Sequence, residues 1–145
     1  MYRARDAAIL PPSPGRPALI DPRRENPLDF LMLDLRGTFE LTPMPTLQPG
    51  AASYLRAAYT IKVLRLNQRD CLPAARQNAF KGYRARLREY IRQRDGGAKR
   101  EDLVRMTAGF AATPHATVWA EMKRQQQHLP ELAELFAQAP EALAF

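Results

Sequence analysis

The chain has 145 residues, of which 46% are hydrophobic and 26% charged, and its formal net charge is +7 at pH 7. These values are typical of a globular protein and exclude a chain that is disordered throughout. No apolar run approaches the ~18 to 20 residues of a membrane-spanning helix, and no apolar segment of signal-peptide length follows the N-terminus, so we expect a cytoplasmic protein that does not interact with membranes. The single cysteine, Cys71, excludes an intramolecular disulfide and a multi-cysteine zinc site.

The N-terminal third is rich in proline and predicts little regular structure. Nine of the thirteen prolines lie in the first 49 residues. Proline has no backbone N–H, and it biases the residue before it away from the helical conformation. We therefore predict that residues 1–25 form an extended, proline-rich arm, of a kind that often becomes ordered only on a partner.

A short amphipathic helix is predicted next, within residues 26–50. Asn26 is a suitable N-cap, Pro27 a suitable first helical residue and Gly37 a suitable stop. Apolar residues recur at helical spacing in this segment: Leu28, Leu31, Met32 and Leu35. Residues 38–41 are expected to be briefly extended, and the remaining prolines predict a loop.

From residue 51 onward, apolar residues at helical spacing are interrupted by single glycines and prolines. We predict helices over Ser53–Asn67, Pro73–Arg94 and Glu101–Ala112, and two more that begin near Pro114 and at Pro130. The first should be central and mostly buried, because apolar residues surround most of its circumference. The sequence thus predicts an all-α protein, a compact bundle of four to six helices, with a single helical domain over residues 26–145 after a mostly irregular arm.

The helix predicted over residues 73–94 separates an apolar face from a basic flank. Its apolar residues share one side of a helical wheel: Phe80, Tyr83, Leu87, Tyr90 and Ile91. Four cations lie along one flank of the same helix, and we call them the basic ridge: Lys81, Arg84, Arg88 and Arg92. The ridge is about 16 Å long, so it would meet several phosphates at once.

The positive charge of the chain is concentrated around this ridge. Between Arg56 and Arg100, thirteen Lys or Arg residues face three acidic residues, a net charge of +10. Four further cations would extend the basic surface if the fold brings them to the same side: Lys62, Arg65, Lys99 and Arg100. A concentration of cations of this size is typical of surfaces that bind polyanions.

Two functional hypotheses follow. In the first, the basic surface binds the backbone of DNA or RNA, and the protein is a non-catalytic subunit of a larger nucleoprotein or nucleic-acid-processing assembly. In the second, it is an accessory protein that binds no nucleic acid, and its arm and the apolar residues Leu28, Leu31, Met32 and Leu35 dock on a protein partner. The alternative to both hypotheses is that the basic ridge binds no partner and only keeps its face of the helix in contact with water. The acidic C-terminal third would also allow self-association with the basic middle.

An enzyme is not predicted, and neither is a cofactor or a metal site. The candidate residues are His115, Glu121, His128 and Cys71. On one helix, Glu121 and His128 would be about 10 Å apart, so they cannot bind one metal ion without a third element. The sequence places no histidine to act as a base for Cys71.

Overall fold

The structure, a computed structural model, describes residues 15–68 and 71–145. The chain divides into two compact units, Met1–Pro73 and Ala74–Phe145, and the boundary falls inside the region predicted as one domain. Within the described ranges, two strands, β1 (Leu31–Leu33) and β2 (Leu41–Pro43), precede five helices: α1 (Ala52–Val63), α2 (Leu72–Asp95), α3 (Arg100–Ala111), α4 (Ala116–Gln125) and α5 (Pro130–Gln138). The described part of the chain is therefore mostly helical, which confirms the all-α prediction. None of its helices is both long and apolar enough to cross a membrane.

In the first unit, the segment predicted as a short amphipathic helix is a turn followed by a strand, so that prediction is wrong. Asn26 does act as a cap, because its side chain accepts a hydrogen bond from the N–H of Leu28 at 3.1 Å. The helix that it caps is only a single 3-10 turn, Pro27–Asp29. In β1, buried leucines flank the half-buried Met32, so the leucines follow a period of two. A short run of apolar residues fits both the helical period of 3.6 residues and the strand period of two, so the sequence pattern alone did not distinguish a helix from a strand.

The two strands form an antiparallel pair whose connection is built around Asp34. Leu31 lies opposite Pro43 and Leu33 opposite Leu41. The Asp34 carboxylate accepts hydrogen bonds from the Thr38 N–H at 3.0 Å and the Thr38 hydroxyl at 2.8 Å. Partial burial alone would raise the pKa of Asp34. The hydrogen bonds from Thr38 and from the N–H of Arg36 outweigh that effect, so the pKa of Asp34 is lowered.

The segment that precedes the strands packs against helix α1 and forms hydrogen bonds with it. Ala57 is fully buried and lies in a small apolar cluster with Ile20 and Leu31. The N–H of Ile20 donates to the Thr60 hydroxyl at 3.1 Å, and Arg56 donates to both carboxylate oxygens of Glu25 at 2.7 Å. The later part of the predicted arm is therefore attached to α1, whereas residues 1–14 of that arm lie outside the described residues.

Helix α1 itself departs from its prediction in three respects. It ends at Val63, four residues before its predicted end. Its N-cap is Ala51, which has no side-chain capping bond, rather than Ser53. Only Ala57 and Thr60 are buried on it, and Val63 is 47% exposed. The prediction of a mostly buried helix is therefore wrong, because the apolar residues at its C-terminal end are not covered.

Asn67, which follows α1, bonds to the outer edge of β2. Its side-chain oxygen accepts from the N–H of Leu41 at 2.7 Å, and its side-chain nitrogen donates to the carbonyl of Leu41 at 2.8 Å. One amide side chain thus makes both of the hydrogen bonds that a residue of a neighbouring strand would make with Leu41.

The second unit is organised by α2, whose predicted bounds are correct to within one residue at each end. All five apolar residues predicted to share a face are buried on it. Tyr83 stacks on Trp119 of α4 with 5.2 Å between ring centroids, and Trp119 lies 4.8 Å from Phe110 of α3 and 5.6 Å from Phe136 of α5. The core of this unit is therefore an aromatic cluster to which four helices contribute.

The helix ends of the second unit are partly as predicted. After α2, Gly97 has a φ of +80°, as expected for a glycine that ends a helix. Pro130 begins α5, also as predicted. Helix α4, predicted to begin near Pro114, begins two residues later at Ala116, and its N-cap is His115, with a φ of +64°.

Candidate nucleic-acid interface

The buried face of α2 determines which cations of the basic ridge point outward. At about 100° per residue, Lys81, Arg88 and Arg92 lie within roughly 40° of one another, on the side away from the buried tyrosines. All three are exposed, whereas Arg84 is only partly exposed. The predicted ridge is therefore divided into three outer cations and one that lies closer to the core.

Arg84 is already neutralised within the second unit. Its Nη2 lies 2.6 Å from a carboxylate oxygen of Glu131, the second residue of α5. The guanidinium carbon is 5.4 Å from the centre of the Phe80 ring, a cation–π distance. The side chain is 20% exposed, and its Nε is buried without a hydrogen-bond partner among the described residues. The expectation that Arg84 stands freely outward with the rest of the ridge is thus wrong.

Arg92 has a partner on its own helix. Its Nη2 lies 2.6 Å from an oxygen of Glu89, one turn earlier. Hydrogen bonding from Arg92 lowers the pKa of Glu89. The Arg92 side chain is 71% exposed and that of Glu89 43% exposed, so water and salt screen this pair and a phosphate can compete for the arginine.

Lys81 and Arg88 are the cations of the ridge that remain unmatched. Both are exposed, and neither forms an ion pair within the described ranges, 15–68 and 71–145. Ala85 lies between them on the helix and is also exposed, so no large side chain separates the two charges. We call Lys81, Arg88 and Arg92 the outer stripe.

The four cations that were expected to extend the ridge are distributed over both units. Lys62 and Arg65 are exposed in the first unit. Lys99 and Arg100 are exposed in the second unit, where Lys99 is the N-cap of α3 and Arg100 its first residue. Lys62 and Arg65 thus belong to a different unit from the outer stripe, whereas Lys99 and Arg100 share its unit.

The leucines expected to dock on a protein partner are not displayed. Leu31 is 5% exposed and Leu35 4%, while Leu28 and Met32 are half-buried. In β1, which replaces part of the predicted helix, alternate residues face the interior, and this buries Leu31. These side chains do not form an exposed apolar face.

The candidate residues for catalysis are dispersed. Glu121 is fully buried on α4, where Arg124 and Gln125 donate hydrogen bonds to its carboxylate. His115, His128 and Cys71 are exposed. In the part of the chain that the structure describes, no three His, Cys, Asp or Glu side chains are grouped closely enough to hold a metal ion. The burial of Glu121 has a structural explanation, namely its pairing with Arg124.

Sequence reasoning missed the role of Glu131. Its carboxylate pairs with Arg84, which lies 47 positions earlier in the chain. An acidic residue in the first turn of a helix is already explained by the helix dipole, so the sequence provided no reason to expect a further partner. Only tertiary packing brings the two together, so no local spacing signals the pair.

Comparisons with protein-family models, with curated proteins and with solved structures found no match to this chain. The geometry of the outer stripe is therefore the basis for a functional assignment.

Proposed function

We propose that the second unit binds the sugar-phosphate backbone of nucleic acid through the outer stripe, and that the protein serves as a non-catalytic subunit of a nucleoprotein or nucleic-acid-processing assembly. The observation that carries this proposal is the pair Lys81 and Arg88, which are exposed and have no ionic partner within the described residues. Binding to phosphates releases condensed counterions, and that release supplies the free energy of association.

The dimensions of the outer stripe suit a phosphate backbone. From Lys81 to Arg92 the helix rises about 16 Å, which is roughly the length of five base-pair steps along the axis of duplex DNA. Arg92 exchanges its exposed Glu89 partner for a phosphate at little cost, because that pair is screened by solvent. Nothing in the stripe is arranged to distinguish bases, so the proposed binding is insensitive to sequence.

The salt dependence of binding tests this proposal. Three phosphate contacts predict that log affinity for duplex DNA falls with log salt concentration with a slope of about −2.7, at about −0.9 per contact. We would measure fluorescence anisotropy of a labelled 20-base-pair duplex with the full chain, and repeat it with a single-stranded RNA of equal length. In the double variant Lys81→Ala/Arg88→Ala, the slope on duplex DNA should flatten by about 1.8.

A matched control removes two positive charges elsewhere. Arg23 and Arg24 lie in the first unit, and their side chains are 87% and 86% exposed. The variant Arg23→Ala/Arg24→Ala changes the net charge equally and should leave the slope close to that of the unaltered protein. Equal slopes for both double variants, or no binding by the unaltered protein at low salt, would refute the proposal.

A further inference from the structure

A notch between α2 and α5 adjoins the outer stripe. It has a volume of about 320 Å³, comparable to the smaller ligand pockets of proteins. Its lining residues are Arg84, Arg88, Glu131, Glu134, Leu135 and Gln138. Arg88 belongs both to this notch and to the outer stripe, so a backbone that follows the stripe passes the mouth of the notch.

Arg84 is the fixed cation of this notch. The Phe80 ring lies 5.4 Å from its guanidinium carbon, and its Nε is buried. The contact with Phe80 restricts the guanidinium group before any ligand arrives. A cation that is already immobilised loses little conformational entropy when it binds an oxyanion.

Glu131 is the loosely held partner. Its side chain is 67% exposed, and its Oε2 lies 2.6 Å from Nη2 of Arg84. Solvent therefore has access to most of this carboxylate. When it leaves Arg84, its carboxylate regains full hydration. A phosphate group offers more acceptor oxygens than a carboxylate does, and Arg88 in the same notch forms no ion pair among the described residues.

We propose that this notch is a binding site for a phosphate oxyanion, and that the Glu131 carboxylate occupies it until nucleic acid binds. This inference rests on the proposed function, because the phosphate that displaces Glu131 belongs to the backbone lying on the outer stripe. Phosphate oxygens replace Oε2 of Glu131 on Arg84, Arg88 contributes the second positive charge, and Glu131 turns into solvent. Glu131 is therefore an internal competitor that weakens the binding of nucleic acid.

Removal of the competitor should strengthen binding. The variant Glu131→Gln keeps the shape of the side chain and removes its charge. We expect its affinity for duplex DNA to rise about two- to fivefold beyond the increase that the change in net charge alone produces. This is the size of effect expected when an exposed ion pair is lost. The matched control is Glu101→Gln, because Glu101 is exposed and is the second residue of α3, just as Glu131 is of α5. In an Arg84→Ala background, the two glutamine variants should behave alike.

A second measurement needs no nucleic acid. The Nε–H signal of Arg84 can be followed by NMR in the full chain while inorganic phosphate is added, with the same titration on Glu131→Gln. We expect the signal to shift at lower phosphate concentration in the variant. Should the phosphate titration succeed while DNA fails to bind, the notch stands and the proposed function falls. Should DNA bind while Glu131→Gln matches Glu101→Gln and the Arg84 signal stays unmoved, the notch proposal is overturned and the outer stripe remains.

Discussion

Arg124 resembles a surface arginine, yet we expect its loss to destabilise the second unit strongly. Its side chain is 31% exposed, but it pairs with Glu121, whose side chain is fully buried. Arg124→Ala would leave a carboxylate inside the protein without its main cationic partner. Substitutions at exposed positions usually change stability by less than about 0.5 kcal/mol, whereas breaking a buried ion pair costs about 3 to 5 kcal/mol.

The expected cost lies at the lower end of that range, about 3 kcal/mol, because Gln125 continues to donate a hydrogen bond to Glu121. The matched control is Arg105→Ala. Arg105 pairs with Asp102 across the same three-residue spacing at 3.6 Å, but the side chain of Asp102 is 51% exposed. This pair is solvated, so its loss should cost less than about 1 kcal/mol.

Urea unfolding followed by the fluorescence of Trp119 provides the assay. Trp119 is the only tryptophan of the chain and lies in the core of the second unit, on the same helix as Arg124. With a denaturant slope of about 1.5 kcal/mol per M, a loss of 3 kcal/mol lowers the midpoint by about 2 M. The double variant Glu121→Met/Arg124→Ala should regain more than about 1 kcal/mol, because an apolar side chain replaces the stranded charge. Midpoints for Arg124→Ala and Arg105→Ala that agree to within about 0.3 M would refute this reasoning.

Three further substitutions test other parts of the structure. Tyr83 is fully buried and its hydroxyl donates to the Thr113 carbonyl at 3.1 Å, so Tyr83→Phe should cost about 1 kcal/mol in urea unfolding, and an unchanged midpoint would contradict this bond. Gly97 has a φ of +80°, so Gly97→Ala should destabilise the protein by about 1 kcal/mol. Gly82 lies within α2 with open space around it, so Gly82→Ala should stabilise the protein. Stability changes of the same sign in the two variants would contradict the left-handed conformation of Gly97. Because the folded-state pKa of Asp34 is lowered, its carboxylate contributes stability that is fully present above its unfolded pKa of about 3.9 and is lost as the pH falls through the lower folded value. The first unit should therefore lose stability as the pH falls below about 4 in a circular dichroism titration, and Asp34→Asn should reduce that loss.

The fold of the second unit could be predicted from sequence largely because its longest helix carries a regular pattern. The apolar residues of α2 repeat over many turns, and Gly97 ends the helix as its flexibility suggests. The first unit could not be predicted in the same way. Its leucines from Leu28 to Leu35 fit a helix and a strand equally well, and the choice between them depends on Leu41 and Pro43, which pair with β1 from several positions further along the chain.

The alignment of three cations on α2 could be predicted from the sequence, but the ion pair of Arg84 could not. Local spacing places Lys81, Arg88 and Arg92 on one flank of α2, and that arrangement is independent of the rest of the chain. The neutralisation of Arg84 depends instead on how α5 packs on α2, because Glu131 reaches it across that contact. Pairing between helices is tertiary information, and a helical wheel does not contain it.

The bonds between Asn67 and Leu41 cover part of the exposed backbone edge of β2. A strand with one unpaired side is a template onto which a strand of a second molecule can add, and among the described residues β2 pairs only with β1. The Asn67 amide occupies both hydrogen-bonding groups of Leu41, the first residue of that strand. Pro43, its last residue, has no N–H to offer. An incoming chain therefore finds little free backbone on this side, and Asn67→Ala would open it to intermolecular strand addition.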